Sequence, residues 1–418
     1  MEQEKSTTLK LIYTVLLGII FLLCRYFFIF EIGIPIYSLG VFTFIIVGLY
    51  ITDNMEFKRY YYSNKRFVII LILNFVAFFI WFIDIWDFSI IPFMLIFTAS
   101  QILISTIISI ITFEIKKVTT YGNGEMKKRI VESLSKFSEY EYIDECKRDG
   151  SLSDFINNNG ISILILTKLK LTKDEIKEVL DLKLSGIEVK SYSDYMLENE
   201  EKIDVEFIDE EWLLQAYGFK ILHSQVQNRV KKVFDLGMAV AIGLVTLPIM
   251  AVAAVIVRLE SPGPIIYSQD RVGENGKEFK VHKFRSMRND AEKDGAKWAQ
   301  QNDPRVTKFG NIMRKTRIDE LPQLLNVIKG EMSFIGPRPE RMVFIKELEK
   351  QIPYYNLRHM VKPGLTGWAQ VMYPYGASVE DARRKLEYDL YYIKHHSLYL
   401  DIVIMLLTLK TVIFGKGR

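Results

Sequence analysis

The sequence predicts a membrane protein with four N-terminal transmembrane helices, a small α/β domain and a mainly α-helical (α+β) C-terminal domain. Three observations support this fold class. Four apolar runs open the chain, and a stretch of alternating strand and helix patterns follows them. A fifth apolar run, with a proline near its middle, then precedes a basic C-terminal region. The predicted domain boundaries are 1–115, 116–225 and 226–418.

The four N-terminal runs lie at about 9–30, 36–51, 67–83 and 90–113. Most of them approach the ~20 residues that a helix needs to cross the hydrocarbon core, although the second run is short. Four buried helices of a soluble protein are the less favoured alternative, because buried helices are rarely this apolar on every face. Basic residues follow the second and fourth runs (Lys58, Arg59, Lys65, Arg66; Lys116, Lys117, Lys127, Lys128). The other two links carry only acids, so the positive-inside rule puts the N-terminus and everything after residue 114 in the cytoplasm.

Residues 116–212 show the pattern of a small α/β domain. A strand is predicted at 118–121, a buried parallel strand at 160–167, an amphipathic helix at 172–184 and a short strand at 186–189. We interpret this unit as Rossmann-like. The Gly122-Asn123-Gly124 turn lacks the third glycine of the dinucleotide-binding motif, so a degenerate domain that binds no dinucleotide is the favoured interpretation.

The fifth apolar run covers about 233–259 and contains Pro248. Proline removes a helix hydrogen bond and clashes with the preceding turn, so a break is predicted at this position. A helix that spans the membrane would place the following domain outside the cell, away from cytoplasmic nucleotides. A re-entrant helix keeps that domain on the cytoplasmic side and is the favoured alternative.

The charge of the chain is unevenly distributed. Residues 226–418 contain 31 basic and 20 acidic residues, whereas residues 114–225 contain 16 basic and 23 acidic residues. A basic C-terminal region suits an anionic partner such as a membrane surface, a nucleotide or a phospholipid. Nucleic acid is not predicted as a partner, because the sequence has no recognition-helix, zinc-finger or RNA-binding pattern.

The candidate site lies in residues 314–340, which read RKTRIDELPQLLNVIKGEMSFIGPRPE. Phosphoryl transfer requires a nucleophile, cations that neutralise the phosphoryl oxygens, and donors that hold the leaving group. Asp319 is the predicted nucleophile, and Glu320 is the predicted ligand of Mg²⁺. The predicted substrate- and phosphate-binding residues are Arg338, Lys283, Arg285, Arg314 and Arg317.

The local sequence also predicts where the acid pair lies. Pro322 is best tolerated in a first helical turn, so a helix should begin near Asp319 or Glu320 and place both acids at its positive end. The structural alternative is that the pair only caps a helix and that Pro337-Arg338-Pro339 is only a stiff loop. The five histidines show no zinc spacing, and no P-loop motif occurs.

From about residue 226 onward the chain resembles the bacterial sugar transferase domain of monotopic polyprenyl-phosphate phosphoglycosyl transferases. The matching pieces are the broken apolar helix, SPGPIIYSQDRVG, KFRSM, the DELPQ and GPRP blocks, and KPGLTGWAQV. The four N-terminal runs and the α/β domain resemble the large subgroup of that family. Many members have a Ser-Pro pair at the helix break, where this chain has Leu247-Pro248 with Thr246 before it.

The resemblance implies transfer of a sugar 1-phosphate from a UDP-sugar to undecaprenyl phosphate, with release of UMP. Asp319 would attack the β-phosphate and form a phosphosugar intermediate, Glu320 would help to hold Mg²⁺, and Arg338 would bind phosphate. Such enzymes start exopolysaccharide, capsule or O-antigen repeat units at the bacterial inner membrane and face the cytoplasm. The two rival hypotheses are a non-catalytic membrane scaffold or sensor and a glycosyltransferase that releases UDP. A homo-oligomer is compatible with the sequence, and no motif specifies the sugar.

Overall fold

The computed structural model describes residues 2–28, 36–51, 63–85, 87–111, 114–122, 124–144, 151–168, 170–215, 218–291, 303–373, 376 and 378–413. The protein is mostly helical. It divides into two compact units, Met1–Lys190 and Ser191–Arg418.

Four helices begin the first unit: α1 (Glu2–Phe28), α2 (Ile36–Ile51), α3 (Ser63–Ile85) and α4 (Ile90–Ile111). Aromatic rings pack between them, with the Phe93 ring centroid 5.2 Å from that of Phe21 and 5.0 Å from that of Phe78. Each helix coincides with a predicted apolar run. The basic link at 52–62 lies outside the described residues.

Three helices among the described residues are long and apolar enough to cross a membrane: Thr8–Phe28, Ile90–Ile111 and Gln225–Glu260. The second helix has only 16 residues, and the described apolar part of the third, Leu73–Phe82, is shorter still. The prediction of four transmembrane helices is therefore confirmed only in part.

The remainder of the first unit is a four-stranded sheet with the strand order β2-β1-β3-β4. The central strand β1 runs parallel to both β2 and β3, with Val118 opposite Ile163. The side chain of Thr172 caps α7 in a capping box with Glu175, at the start of the predicted amphipathic helix. The elements are β1 (Lys116–Tyr121), α5 (Glu125–Leu134), β2 (Tyr140–Tyr142), α6 (Leu152–Asn159), β3 (Ile163–Leu166), α7 (Lys173–Leu184) and β4 (Glu188–Ser191). A small sheet with helices between its strands is therefore present, as expected for an α/β domain. Asn123 of the predicted glycine turn lies outside the described residues.

The second unit begins earlier than the predicted domain boundary at 225. It opens with α8 (Tyr192–Tyr195), a π-helical turn (Met196–Glu200), α9 (Glu210–Gln215) and a 3₁₀ turn (Lys220–Leu222). Ile203, Val205 and Ile221 are buried in the main hydrophobic core of this unit. Through these contacts, the described residues between 191 and 225 pack with the C-terminal region.

The long apolar helix α10 (Gln225–Glu260) has 36 residues and contains Pro248. Pro248 has no N–H group to donate to the carbonyl four residues earlier. The carbonyl that loses this donor is that of Leu244. The hydroxyl of Thr246 donates to a different carbonyl, that of Ile242, at 2.7 Å, and side-chain bonds of this kind bend helices. Because the helix continues on both sides of the proline, the predicted re-entrant break is not confirmed.

The elements that follow α10 form the body of the second unit. The hairpin of β5 and β6 is antiparallel, and β7 pairs in parallel with β8. Their bounds are β5 (Ile266–Val272), β6 (Glu278–Phe284), α11 (Lys308–Thr316), a 3₁₀ turn (Ile318–Gln323), α12 (Leu324–Ile328), β7 (Ser333–Ile335), α13 (Met342–Leu348), a 3₁₀ turn (Tyr355–Met360), β8 (Gly364–Thr366), α14 (Trp368–Met372), α15 (Val379–His395) and α16 (Leu398–Ile413). Trp368, Ile335 and Leu386 are fully buried in their common core.

Candidate active site

The acid pair lies where two short helical segments meet. The helix α11 ends at Thr316, and Arg317 then adopts a left-handed backbone with φ 60°. The 3₁₀ turn that carries Asp319 and Glu320 begins at Ile318, next to the predicted start. It is a 3₁₀ turn rather than the start of an α-helix, and α12 begins only after it. A left-handed conformation at a residue other than glycine is uncommon and is concentrated at functional sites.

Glu320 is surrounded by three cations. Arg338 Nη2 donates to Glu320 Oε1 at 2.6 Å, Lys283 Nζ lies 3.3 Å from the same oxygen, and Arg317 Nη1 lies 3.5 Å from Oε2. The Glu320 side chain is almost fully buried, which by itself would raise its pKa. The charges of the three cations outweigh burial and hold the pKa of Glu320 well below its ordinary value. Glu320 is therefore ionised.

Asp319 has a different environment from its neighbour. It is 7% exposed, and its Oδ1 atom has no hydrogen-bond partner among the described residues. Burial raises the pKa of Asp319, the negative charge of Glu320 raises it further, and Lys283 and the arginines of the cluster act in the opposite direction. Adjacent carboxyls whose pKa values are pushed apart are typical of sites where the two groups have different roles.

The turn that carries Arg338 is fixed by close backbone contacts. The N–H of Gly336 donates to the carbonyl of Thr366 at 2.9 Å, and the N–H of Gly364 donates to the carbonyl of Pro337 at 2.9 Å. A Cβ atom at Gly336, Gly364 or Gly367 would clash with the backbone of the facing segment. Glycine is required at these positions because the two chain segments approach too closely for a side chain.

The guanidinium of Arg338 is held at both terminal nitrogens. One donates to Glu320, and the other donates to Gln370 Oε1 at 3.0 Å. Its backbone carbonyl accepts from Arg358 Nη2 at 3.0 Å, and Arg358 is itself buried against Asp389 at 2.8 Å. Both the side chain and the backbone of Arg338 are therefore fixed in place.

Lys283 reaches the acid pair because β6 is tied to α12 by a buried amide. Asn326 Nδ2 donates to the carbonyl of Lys280 at 2.7 Å, and its Oδ1 accepts from the N–H of His282 at 3.2 Å. Burial lowers the pKa of Lys283 to about 8, although Glu320 acts to raise it. The structure thus brings Lys283 together with Asp319, Glu320 and Arg338, and its phosphate-binding role stays a prediction.

Arg285 lies away from this cluster. Its guanidinium donates to the carbonyls of Val257, Ser261 and Pro262 at 3.2, 2.6 and 2.9 Å, at the C-terminal end of α10. These bonds satisfy carbonyl groups that a helix end leaves unpaired. Its contacts are those of a structural residue, and its predicted phosphate-binding role stays a prediction.

Arg314 and Arg317 follow each other closely at the end of α11. Arg317 contacts Glu320, as described above, and the positive charge of Arg314 lowers the pKa of Asp319.

Sequence reasoning missed Gln370, Asn326 and Arg358. Gln370 stands in KPGLTGWAQV, a segment that carries the family resemblance but to which no site residue was assigned, and a buried arginine or asparagine has no signal in a single sequence.

The acidic groups of the site that could bind a metal ion are the carboxylates of Asp319 and Glu320. Among the described residues, no group of three or more His, Cys, Asp or Glu side chains could hold an ion. Mg²⁺ is commonly bound by one or two carboxylates, with water and substrate phosphates completing its coordination. The unpartnered Oδ1 of Asp319 and the long contacts of Glu320 to Lys283 and Arg317 are compatible with that arrangement.

Comparison with known proteins places this site in a family. Residues 226–415 match the family model for bacterial sugar transferases. Over 198 residues the chain is 47% identical to the UDP-N-acetylgalactosamine-undecaprenyl-phosphate N-acetylgalactosaminephosphotransferase of Aeromonas hydrophila, an alignment that covers 47% of each protein. Over 187 residues it is 44% identical to the UDP-glucose:undecaprenyl-phosphate glucose-1-phosphate transferase of Escherichia coli, covering 44% of this chain and 40% of that protein.

A galactosyl transferase of Streptococcus agalactiae matches over a longer region. It is 33% identical over 324 residues, which are 68% of this chain and 71% of that protein. The first two relatives are matched over less than half of their own length. The match to the S. agalactiae protein extends beyond the family region into the N-terminal part of the chain. The chain belongs to the bacterial sugar transferase family.

Proposed function

We propose that the protein transfers a sugar 1-phosphate from a UDP-sugar to undecaprenyl phosphate and releases UMP. The observation that carries this proposal is the buried acid pair. Three cations contact the ionised Glu320, and one oxygen of Asp319 has no hydrogen-bond partner among the described residues. The names of the Aeromonas and Escherichia relatives describe this class of reaction. The reaction would be the first membrane step of a polysaccharide repeat unit.

The first half of the proposed reaction is an attack by Asp319. A carboxylate oxygen of Asp319 bonds to the β-phosphorus of the UDP-sugar, and the bond from that phosphorus to the bridging oxygen breaks. UMP leaves with the bridging oxygen and the electron pair, and the sugar phosphate remains on Asp319 as an acyl phosphate. Arg338 and Lys283 lie beside the acid pair, where they can hold the charged phosphoryl oxygens.

The second half returns the enzyme to its starting state. A phosphate oxygen of undecaprenyl phosphate bonds to the same phosphorus, and the bond to the Asp319 oxygen breaks. The products are undecaprenyl diphosphate sugar and a free carboxylate. Glu320 begins the reaction ionised, because its three cationic neighbours hold its pKa low despite its burial.

Magnesium is part of the proposal, with Glu320 as the residue that would hold it. When bound, it would neutralise negative charge on the diphosphate oxygens. Glu320 would exchange its longer contacts, to Lys283 and Arg317, for the ion, and the unpartnered oxygen of Asp319 stays available for the attack.

The released nucleotide tests the proposed function. Purified protein in nanodiscs with undecaprenyl phosphate is offered a panel of UDP-sugars, and the nucleotide product is identified by chromatography. We expect UMP with at least one sugar. UDP as the product would instead indicate a glycosyltransferase, and nucleotide binding without turnover across the panel would indicate a scaffold or sensor.

We further propose that four N-terminal helices span the inner membrane, that the α/β unit is Rossmann-like, and that α10 is re-entrant, so that the active site faces the cytoplasm. A membrane-impermeant thiol reagent tests the side on which the site lies, using Lys277→Cys in a chain whose Cys24 and Cys146 are replaced by serine. We expect labelling only after the cells are permeabilised. Labelling of intact cells would mean that α10 spans the membrane.

The rate of UMP release should depend on pH on both sides of neutrality. Asp319 must be ionised to attack. Because its pKa is raised, the rate should start to fall with decreasing pH at a higher pH than it would with an ordinary aspartate. Lys283, whose pKa is lowered to about 8, loses its charge as the pH rises through that value, so the rate should then fall. Lys283→Arg should remove the basic limb, because arginine stays charged. The exposed Lys280→Arg is the matched control, and an unchanged basic limb in Lys283→Arg would contradict the assignment.

A further inference from the structure

A buried cluster of polar and charged side chains joins α10 to the strand that leads into Arg338. The proposed chemistry does not use this cluster. Its members come from α10, β7, the C-terminal part of α15, the residue that follows it, and the start of α16, and none is more than 9% exposed. They are Lys231, Asp235, Ser333, Tyr392, His396 and Asp401.

Asp401 is the centre of this polar cluster and is fully buried. Lys231 Nζ donates to Asp401 Oδ2 at 2.9 Å, across 170 residues of sequence. Tyr392 Oη lies 2.8 Å from the other carboxylate oxygen as a donor, and His396 Nε2 lies 3.3 Å from Oδ2. A charge that would otherwise interrupt the apolar helix α16 therefore has three partners.

The polar cluster reaches β7 at two points. Asp235, one turn after Lys231 on α10, has its Oδ2 2.6 Å from the hydroxyl of Ser333, which donates to it. The hydroxyl of Tyr392 also lies 3.1 Å from the carbonyl of Ile335. Ser333 and Ile335 are the first and last residues of β7, so both ends of this strand are held.

Stability alone is a poor explanation for such a cluster. Removing charges from water costs free energy, and an apolar pair of similar volume is often as stable as a buried ion pair or more stable. Buried polar groups, unlike apolar ones, form directional hydrogen bonds, and these bonds fix the position of each partner. Here the residue fixed at the end of β7, Ile335, stands three residues before Arg338.

We propose that the polar cluster is a positioning device, which fixes β7 against the membrane helix α10 and thereby sets the place of Arg338 in the active site. Lys231, Asp235, Tyr392 and Asp401 act through β7 and do not touch the substrate. The inference rests on the proposed function, because that function is what makes the position of Arg338 important.

The double variant Lys231→Met with Asp401→Leu tests this proposal, since it replaces the ion pair by apolar side chains. The change also removes the ammonium of Lys231 from the buried Asp235, whose Oδ1 lies 3.6 Å from it, so we expect a small fall in melting temperature while the protein stays folded. We also expect faster hydrogen exchange confined to the peptide 333–338, and roughly tenfold or greater weakening of UDP binding together with a raised KM for the UDP-sugar. Glu347→Leu with Lys350→Met, which replaces an exposed ion pair of 3.0 Å, is the matched control.

A double variant that keeps its melting temperature, its exchange at 333–338 and its UDP affinity would overturn the proposal. If the double variant does not fold, Tyr392→Phe is judged by the same three measurements, because it removes only the hydroxyl that faces Asp401 and Ile335. If no UDP-sugar yields UMP with the wild-type protein, the proposed function fails. Exchange at 333–338 and UDP binding still decide the positioning role in that case.

Discussion

Asp319→Asn is expected to lose UMP release by roughly a thousandfold or more, the loss typical of removing a nucleophile. Asparagine has nearly the shape of aspartate, but its neutral amide oxygen cannot form the acyl phosphate. The fold should tolerate the change. Burial raises the pKa of Asp319 above its unfolded value, so the ionised group costs stability at neutral pH, and the variant should melt at the same temperature or higher.

Intact-protein mass spectrometry provides the second measurement on this variant. With the lipid acceptor withheld, the wild-type protein should gain the mass of one sugar phosphate after a single turnover, and Asp319→Asn should gain none. Asp270→Asn, at an exposed carboxylate on β5, is the control and should behave as the wild type. UMP release at the normal rate by Asp319→Asn would exclude the nucleophile assignment, and a wild-type protein without the adduct would favour direct displacement.

The acid pair and Arg338 could be predicted because their signals are local. Two adjacent acids before a proline, and an arginine between two prolines, are visible in a single sequence. Lys283 and Arg285 are two positions apart, and both are predicted to bind phosphate. The strand β6 ends at Phe284, so Arg285 lies beyond the strand and contacts the end of α10. The end of a strand decides between two chemically equivalent candidates, and strand ends are poorly determined by sequence patterns.

The fold, like the site, can be predicted where the signal is local but not where it depends on residues far apart in the sequence. The capping box at Thr172 and the apolar runs are local, and α7 and the four N-terminal helices lie where helices are predicted. Lys231 and Asp401 are 170 residues apart, and their pairing depends on the packing of α10 against α16. Residues 191–225 are assigned to the α/β domain by the sequence patterns, although Ile203 and Val205 lie in the core of the second unit.

The proline in α10 shows another limit of prediction from sequence. Pro248 removes one hydrogen bond from a helix of 36 residues. A helix can continue past such a site when packing or a side-chain bond compensates, so a proline predicts a weak point rather than a particular angle. The surroundings of the helix, including the membrane, then decide whether it bends back.

Arg338→Lys is expected to lower kcat/KM for the UDP-sugar by roughly a hundredfold. Arginine bridges Glu320 and Gln370 with two nitrogens of one rigid plane, at 2.6 and 3.0 Å. Lysine keeps the charge but has a single ammonium group, so it cannot hold both partners and present a planar fork to a phosphate. Arg341→Lys, a few residues later in the chain, is the control with the same chemical change.

A double-mutant cycle with Gln370→Ala shows whether position or charge explains the loss. If the fork geometry matters, Gln370→Ala should lower kcat/KM in the wild-type background and have little further effect in Arg338→Lys, where the bond to Gln370 is already lost. Equal effects of Gln370→Ala in both backgrounds would mean that Gln370 acts independently of Arg338. Near-normal activity of Arg338→Lys would mean that the site needs only a positive charge at this position, and the preorganised fork would then be rejected.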